Sequence, residues 1–215
     1  EGKTLFDAAR NAKRKEAEKL FFGSANLVII SEEVAREKGI LTIIEWFLRD
    51  GECRETMCIA LSGEETASKM LQKPEGEKGI VATNLHEIIQ EDHSVTSSTL
   101  NIQIFQALNM IKSQRNATFM AVLHKVKMGD KEIGEVDGSA IFRGDRLAGY
   151  LTPEESKYAL FVEEKVKGGI LTLAMGGQQT DDVSLEIFKN KTRKSYTSEG
   201  GAIRIKIETD TQVAV

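Results

Sequence analysis

Apolar residues recur at helical spacing from the start of the chain. Leu5, Ala8, Ala9, Ala12, Glu16 and Leu20 share one side, with Arg10, Lys13 and Arg14 mostly opposite, which predicts a helix over residues 4–20. On that reading the basic run KRKEAEK is a solvated helix face and not a nucleic-acid patch. The pattern then changes: ANLVIIS has four consecutive apolar residues, Leu27 to Ile30, as expected of a strand covered on both faces. Ser31 stands where it would cap a short helix, which Gly39 breaks. ILTIIEWFLRD resumes helically with Ile40, Ile43, Ile44 and Phe47 inward until Asp50-Gly51 ends it, and Trp46 reads as core.

ECRETMCIAL predicts a strand, and in SGEETASKML the pair Ser62 and Glu65 has capping-box spacing for the next helix start. The polar stretch from Gln72 to Thr83 is a loop or a subdomain joint. Helical patterns return at 83–91 and 101–112, separated by DHSVTSST, whose Ser and Thr density predicts an ordered but irregular connection. Helices and strands in this order predict an α/β (α+β) fold with mixed β-sheets flanked by helices.

After KSQRN the period becomes extended, in ATFMAVLHKVKM, EIGEVDGSAIF and RLAGYL. This divides the chain into an N-terminal α/β unit, 1–114, with a possible subdivision near 72–82, and a C-terminal mixed unit, 115–215. Arg143-Gly144-Asp145 is either an adhesion tripeptide or a bend. Strand patterns end at Phe142 and resume at Leu147, so Gly144-Asp145 fits a two-residue hairpin loop that wants glycine first. Thr152, Pro153, Glu154 and Glu155 then form a helix start: a capping hydroxyl, proline at the first helical position, and acids at the positive dipole end. VSLEIF and AIRIKIE alternate as strands, with Ile203, Ile205 and Ile207 on one face. KNKTRK between them reads as a hairpin connection, with phosphate binding the alternative.

Composition narrows the classes. The chain has 215 residues, 40% hydrophobic and 29% charged, as in a soluble globular protein. A net charge of −4 gives no long-range attraction toward nucleic acid or anionic membrane. No apolar run reaches the length of a bilayer span. The chain begins at Glu1 without an apolar leader and stops soon after an amphipathic strand, so truncation at both ends is the expectation.

Candidate chemistry is sparse. Cys53 and Cys58, read as five strand steps apart, would be roughly 17 Å from each other on opposite faces, too far to bridge. Their spacing is also a poor zinc signature. Neither a phosphate-binding glycine loop nor a dinucleotide fingerprint is present, and His86, His93 and His124 lack metalloprotease spacing. The acid pairs Glu32-Glu33 and Glu154-Glu155 sit at helix starts, where the dipole explains them; Asp181-Asp182 does not. MGGQQTDD at 175–182 is either a ligand loop or a flexible joint. No catalytic, cofactor-binding or metal residue is assigned. An enzyme would need distant residues to converge, for example His124 with an acid from the first unit.

Three blocks carry a resemblance: GKTLFDAARNA; KLFFGSANLVIISEEVAREKGILTIIEWFLRDGECRETMCIAL; and DGSAIFRGDRLAGYLTPEESKYALFVEEKVKGGIL. In this order they resemble the Ger(x)C family, the lipoprotein C subunits of spore nutrient germinant receptors. The resemblance extends from Gly2 to about Leu173, and more weakly onward. It implies a non-enzymatic protein without cofactor, lipid-anchored through an upstream cysteine on the outward face of the spore inner membrane. Its implied partners are the integral-membrane A and B subunits, in nutrient-triggered germination by assembly or signal coupling. Family members often carry a His near the position of Ala25, whose absence argues against a proton- or metal-dependent role there. Arg49 and Asp50 are family-typical exposed residues, but Asp50-Gly51 also reads as a helix end, and no partner-binding site is assigned. An extracytoplasmic small-molecule binding protein, using the 175–182 loop, is the alternative.

Overall fold

Residues 2–12, 14, 22–73, 79–114, 116–174 and 182–214 are described by the structure, a computed structural model. Its elements are α1 (Leu5–Ala12), β1 (Leu27–Ser31), α2 (Glu32–Glu37), α3 (Leu41–Arg49), β2 (Cys58–Ser62), α4 (Ala67–Leu71), α5 (Val81–Glu91), α6 (Ile104–Lys112), β3 (Ala117–Met128), β4 (Lys131–Arg143), β5 (Arg146–Leu151), α7 (Pro153–Val162), β6 (Ile170–Ala174), β7 (Asp182–Glu199) and β8 (Ala202–Ala214). They build a five-stranded sheet in the order β1-β2-β3-β4-β5 and a three-stranded sheet β6-β7-β8. In the first, β1, β2 and β3 are parallel and β3, β4 and β5 antiparallel; the second is antiparallel throughout. The change of period at residue 115 thus coincides with entry into β3, which joins β2 in the same sheet.

Side-chain alternation along the central strands explains the layering. Ile59 and Leu61 of β2, Met120 and Val122 of β3, and Ala140 and Phe142 of β4 enter one core with Ile44 of α3 and Ile104 and Ala107 of α6. Their neighbours Cys58, Ala60, Ala121, Leu123 and Val136 enter a second core with Met70 of α4 and Leu85 and Ile89 of α5. The sheet is therefore sandwiched between helices, and each fully buried Ile or Leu contributes roughly 1.5–3 kcal/mol. β1 is one edge: its residues pack toward both cores, but only Ile30 is fully buried.

Several expectations change in detail. The predicted first helix is described only as Leu5–Ala12; its remainder lies outside the described residues apart from Arg14. Ser31 occupies the N-cap of α2 without a side-chain capping bond. Cys53 is not on the strand: β2 begins at Cys58, and the Cys53 N–H closes a turn onto the Asp50 carbonyl at 3.1 Å. Thr66, not Ser62, caps α4, accepting the Lys69 N–H at 3.3 Å, because Ser62 is the last residue of β2 and bonds within the loop. Trp46 is half-buried, edge-on to Phe22 and Phe47, rather than core. KNKTRK lies within β7, and the hairpin turn falls at Gly200-Gly201, both with positive φ. The segment 92–96 forms one π-helical turn ending at Ser97 with φ 50°.

The Arg-Gly-Asp segment is a bend. Arg143 pairs with Arg146 across the two-residue loop, and Gly144 has φ 64°. The turn is also anchored: the Asp145 carbonyl accepts the Ile40 N–H at 2.8 Å, and Arg146 donates to the carbonyls of Arg36 and Glu37 at the end of α2. Thr152 caps α7 as expected and forms a capping box with Glu155, and Pro153 takes the first helical position.

Candidate functional site

The parallel pairing of β1, β2 and β3 stops at Ser31, Ser62 and Leu123; the chain leaves β1 at Glu32 and β2 at Gly63, while β3 runs on through His124 to Met128. The carboxyl edge of parallel strands is where open α/β sheets form ligand crevices. Here it carries a cleft of about 330 Å³ lined by Glu32, Gly63, Val122, His124, Asp137, Tyr150, Leu151, Thr152 and Glu155. Val122 and Leu151 supply apolar surface, and the rest of the lining is polar or backbone.

His124 is the centre of the arrangement. Its Nδ1 lies 3.8 Å from Glu64 Oε1 and its Nε2 lies 4.0 Å from Asp137 Oδ2. Both separations are longer than a hydrogen bond, and neither ring nitrogen makes one among the described residues. The ring lies against Gly63, where a Cβ would come 2.0 Å from His124 Cε1, so only glycine leaves room for it. Gly63 donates its N–H to the Leu123 carbonyl at 2.8 Å, and Glu64 Oε1 accepts the Lys125 N–H at 2.9 Å. These bonds hold the β2 exit loop onto β3 on either side of the imidazole.

At the other end of the cleft, Glu32 accepts a 2.6 Å bond from Arg36 Nε. That bond, followed by one from the Tyr150 hydroxyl, holds the Glu32 carboxyl below the usual carboxylate range. Partial burial, then Glu32, pushes the Tyr150 phenol up to about 12. Glu155 is occupied by its capping duty, accepting the Thr152 N–H at 2.9 Å. Four carboxylates, those of Glu32, Glu64, Asp137 and Glu155, thus lie in or beside the cleft, and Arg36 is the cation paired with one of them.

The arrangement offers binding chemistry, and among the described residues no Ser or Cys side chain hydrogen-bonds His124. The nearby Ser62 hydroxyl is fully buried, donating to the Thr66 carbonyl at 3.2 Å and accepting the Glu64 N–H at 3.2 Å. His93 Nδ1 bonds the Thr99 carbonyl at 3.0 Å in the π-helical turn, and burial lowers its pKa. His86 lies on α5, and burial lowers its pKa as well. Cys58 is buried and its thiol pushed up to about 12 by burial; Cys53 is pushed up to about 11 for the same first reason. Both cysteines are free, and no group of three metal-ligating side chains occurs among the described residues.

The other candidates fall elsewhere. Glu33 and Glu154 flank their helix starts as expected, whereas 175–181 lies outside the described residues. Arg49 pairs with Glu45 at 3.2 Å, and Asp50 Oδ1 accepts the Glu52 N–H at 2.9 Å. The structure does bring His124 to an acid of the N-terminal half, Glu64. Asp137 and Tyr150 were not anticipated; the only signal for Asp137 was its alternation with Val136 on β4.

Comparison with known proteins is consistent across the chain. Residues 1–125 match the family described as spore germination protein N-terminal domain. Residues 137–215 match the family described as spore germination B3/GerAC-like, C-terminal. Spore germination protein KC of Bacillus subtilis (strain 168) is 24% identical over 213 residues, covering 90% of this chain and 51% of that protein. The crystal structure of the GerBC protein superposes with a TM-score of 0.63 at 18% identity, over 94% of this chain and 56% of that one. The chain therefore spans about half the length of these relatives.

Proposed function

Since the chain belongs to the Ger(x)C family of spore germination proteins, we propose that it acts as the non-enzymatic C subunit of a germinant receptor. The carrying observation is the pair of family matches, over 1–125 and 137–215, in the order in which the chain presents them. In this reading the protein is lipid-anchored on the outward face of the spore inner membrane. It works beside the integral-membrane A and B subunits through assembly or signal coupling.

Crosslinking the full-length protein in spore inner membranes, with mass spectrometry of the captured peptides, tests this reading. Two polytopic membrane proteins should be recovered with it. Recovery of neither, with the protein in the soluble fraction, overturns it. Deleting the gene should also impair germination by at least one nutrient, and unchanged germination with every nutrient would count against the role.

A further inference from the structure

We propose that the cleft at the carboxyl ends of β1 and β2, beside His124 of β3, binds a small molecule carrying a primary ammonium group on a short apolar body. The proposal does not depend on the receptor reading above. It rests on four features of the cleft that bear on different parts of a ligand.

Size comes first. At about 330 Å³ the cleft lies at the lower end of the range typical of small-molecule sites. Charge comes second: with four carboxylates and one paired guanidinium in or beside it, the cleft favours a cation over an anion. Third, acceptors are available. Asp137 has an exposed side chain 4.0 Å from the imidazole, and His124 has ring nitrogens without hydrogen-bond partners among the described residues. An ammonium donates three hydrogen bonds and accepts none, which suits one carboxylate and one imidazole acceptor set side by side. Fourth, Val122 and Leu151 provide apolar surface for the remainder of the molecule.

The glycine at position 63 strengthens the case. A Cβ there would overlap the imidazole, meeting Cε1 at 2.0 Å and Nε2 at 2.2 Å. The loop is shaped to let the ring lie flat on backbone, with its nitrogens toward the two carboxylates. Glu32, Glu64 and Glu155 are already engaged by Arg36, by the Lys125 N–H and by the α7 cap. Asp137 and His124 are therefore the groups left to recognise the ligand.

Titration with n-butylammonium, followed by two-dimensional NMR of the histidine rings and the Val122 and Leu151 methyls, tests the proposal. His86 and His93 serve as internal references. We expect saturable shifts of His124 and of the two methyls at ligand concentrations up to about 50 mM, the weak affinity of a small ligand on an open site. Butyrate at equal concentration and ionic strength should produce none. Asp137→Asn should weaken butylammonium binding about fivefold, the scale of a solvent-exposed charge pair, while the spectrum of the rest of the chain stays unchanged. Gly63→Ala should shift the His124 resonance without ligand and abolish the response to it. Absence of a saturable shift, an equal response to butyrate, or an unaltered affinity in Asp137→Asn would each overturn the proposal.

Discussion

β2 and β8 are both strands with strong apolar content, and they meet opposite fates. All five residues of β2 are buried, between β1 and β3 and under helices on both faces. In β8, twelve of thirteen positions are exposed, and the strand pairs on one side with β7 alone. Yet β8 has the cleaner alternation, with Ile203, Ile205 and Ile207 facing one way and Arg204, Lys206 and Glu208 the other. Alternation therefore encodes a strand and its register, whereas burial requires a covering layer, here supplied by helices distant in sequence.

The difference is graded along β7. Near its base, Thr192 donates to the Phe161 carbonyl at 2.5 Å, and Lys194 pairs with Glu163 at 3.3 Å, so α7 covers this face. Farther along the same face, register places Tyr196 opposite Ile205, at 77% and 68% exposure. Cover ends where the helix ends.

The sharpest test of the comparison is one substitution made at two isoleucines. Ile59→Ala in β2 should cost about 2–5 kcal/mol, since the side chain is fully buried and its removal leaves a cavity among Met57, Leu61 and their neighbours. Ile205→Ala should cost less than about 0.5 kcal/mol. Chemical denaturation of both variants would decide it, and equal losses would mean that β8 is covered in solution.

Next in size is Gly144→Val. At φ 64° a β-branched residue is strained by about 1–2 kcal/mol, and the strain falls on a turn that holds Ile40 through the Asp145 carbonyl. The midpoint of thermal unfolding should drop measurably. Asp145→Glu sharpens the same point: its carboxylate sits where a Cβ on Gly39 would come within 2.3 Å, so the pocket for an extra methylene is tight. A nearly silent outcome is expected of a free bend, and a modest loss follows from this anchored one.

These turns also show how far the sequence carries. Elements with their own local signal were legible: the Thr152-Pro153-Glu154-Glu155 helix start, the Gly144-Asp145 loop and the alternation of AIRIKIE all appear as read. Where two residues competed for one role, sequence alone did not separate them. Ser62 had capping spacing, but the β2 ladder claimed it and Thr66 took the cap. KNKTRK read as a connection because its charges masked a strand that is solvated on one face and carries Thr192 and Lys194 against the end of α7 on the other. The cleft was least legible, because Gly63, His124, Asp137 and Tyr150 lie on four separate segments and meet only through strand register.

The α7 cap gives a pH-dependent prediction. Thr152→Ala should cost about 1 kcal/mol at neutral pH, the usual loss for an N-cap. Glu155 has its pKa lowered by the Thr152 backbone bond first and the side-chain bond second. A depressed carboxyl adds stability that is present above the unfolded value and lost as pH falls through the folded one. The penalty of Thr152→Ala, measured by urea unfolding, should therefore shrink below the ordinary carboxylate range of about 4. A penalty that grew on acidification would show that Glu155 does not contribute through its charge.

The smallest effect is expected at the exposed end of β8. Ile205→Lys puts a charge where the side chain is 68% exposed, opposite Tyr196, and should change folding stability by less than about 0.5 kcal/mol. Its consequence should appear in association instead. β8 is an edge strand whose exposed isoleucines form a continuous apolar strip, and unpaired edges with apolar faces invite other chains. A lysine in mid-strip blunts that edge, so light scattering at high protein concentration should fall in the variant while the unfolding midpoint stays in place. A large loss of stability would instead mean that the strip is already buried against something in solution, and the contrast between β2 and β8 would then be one of degree.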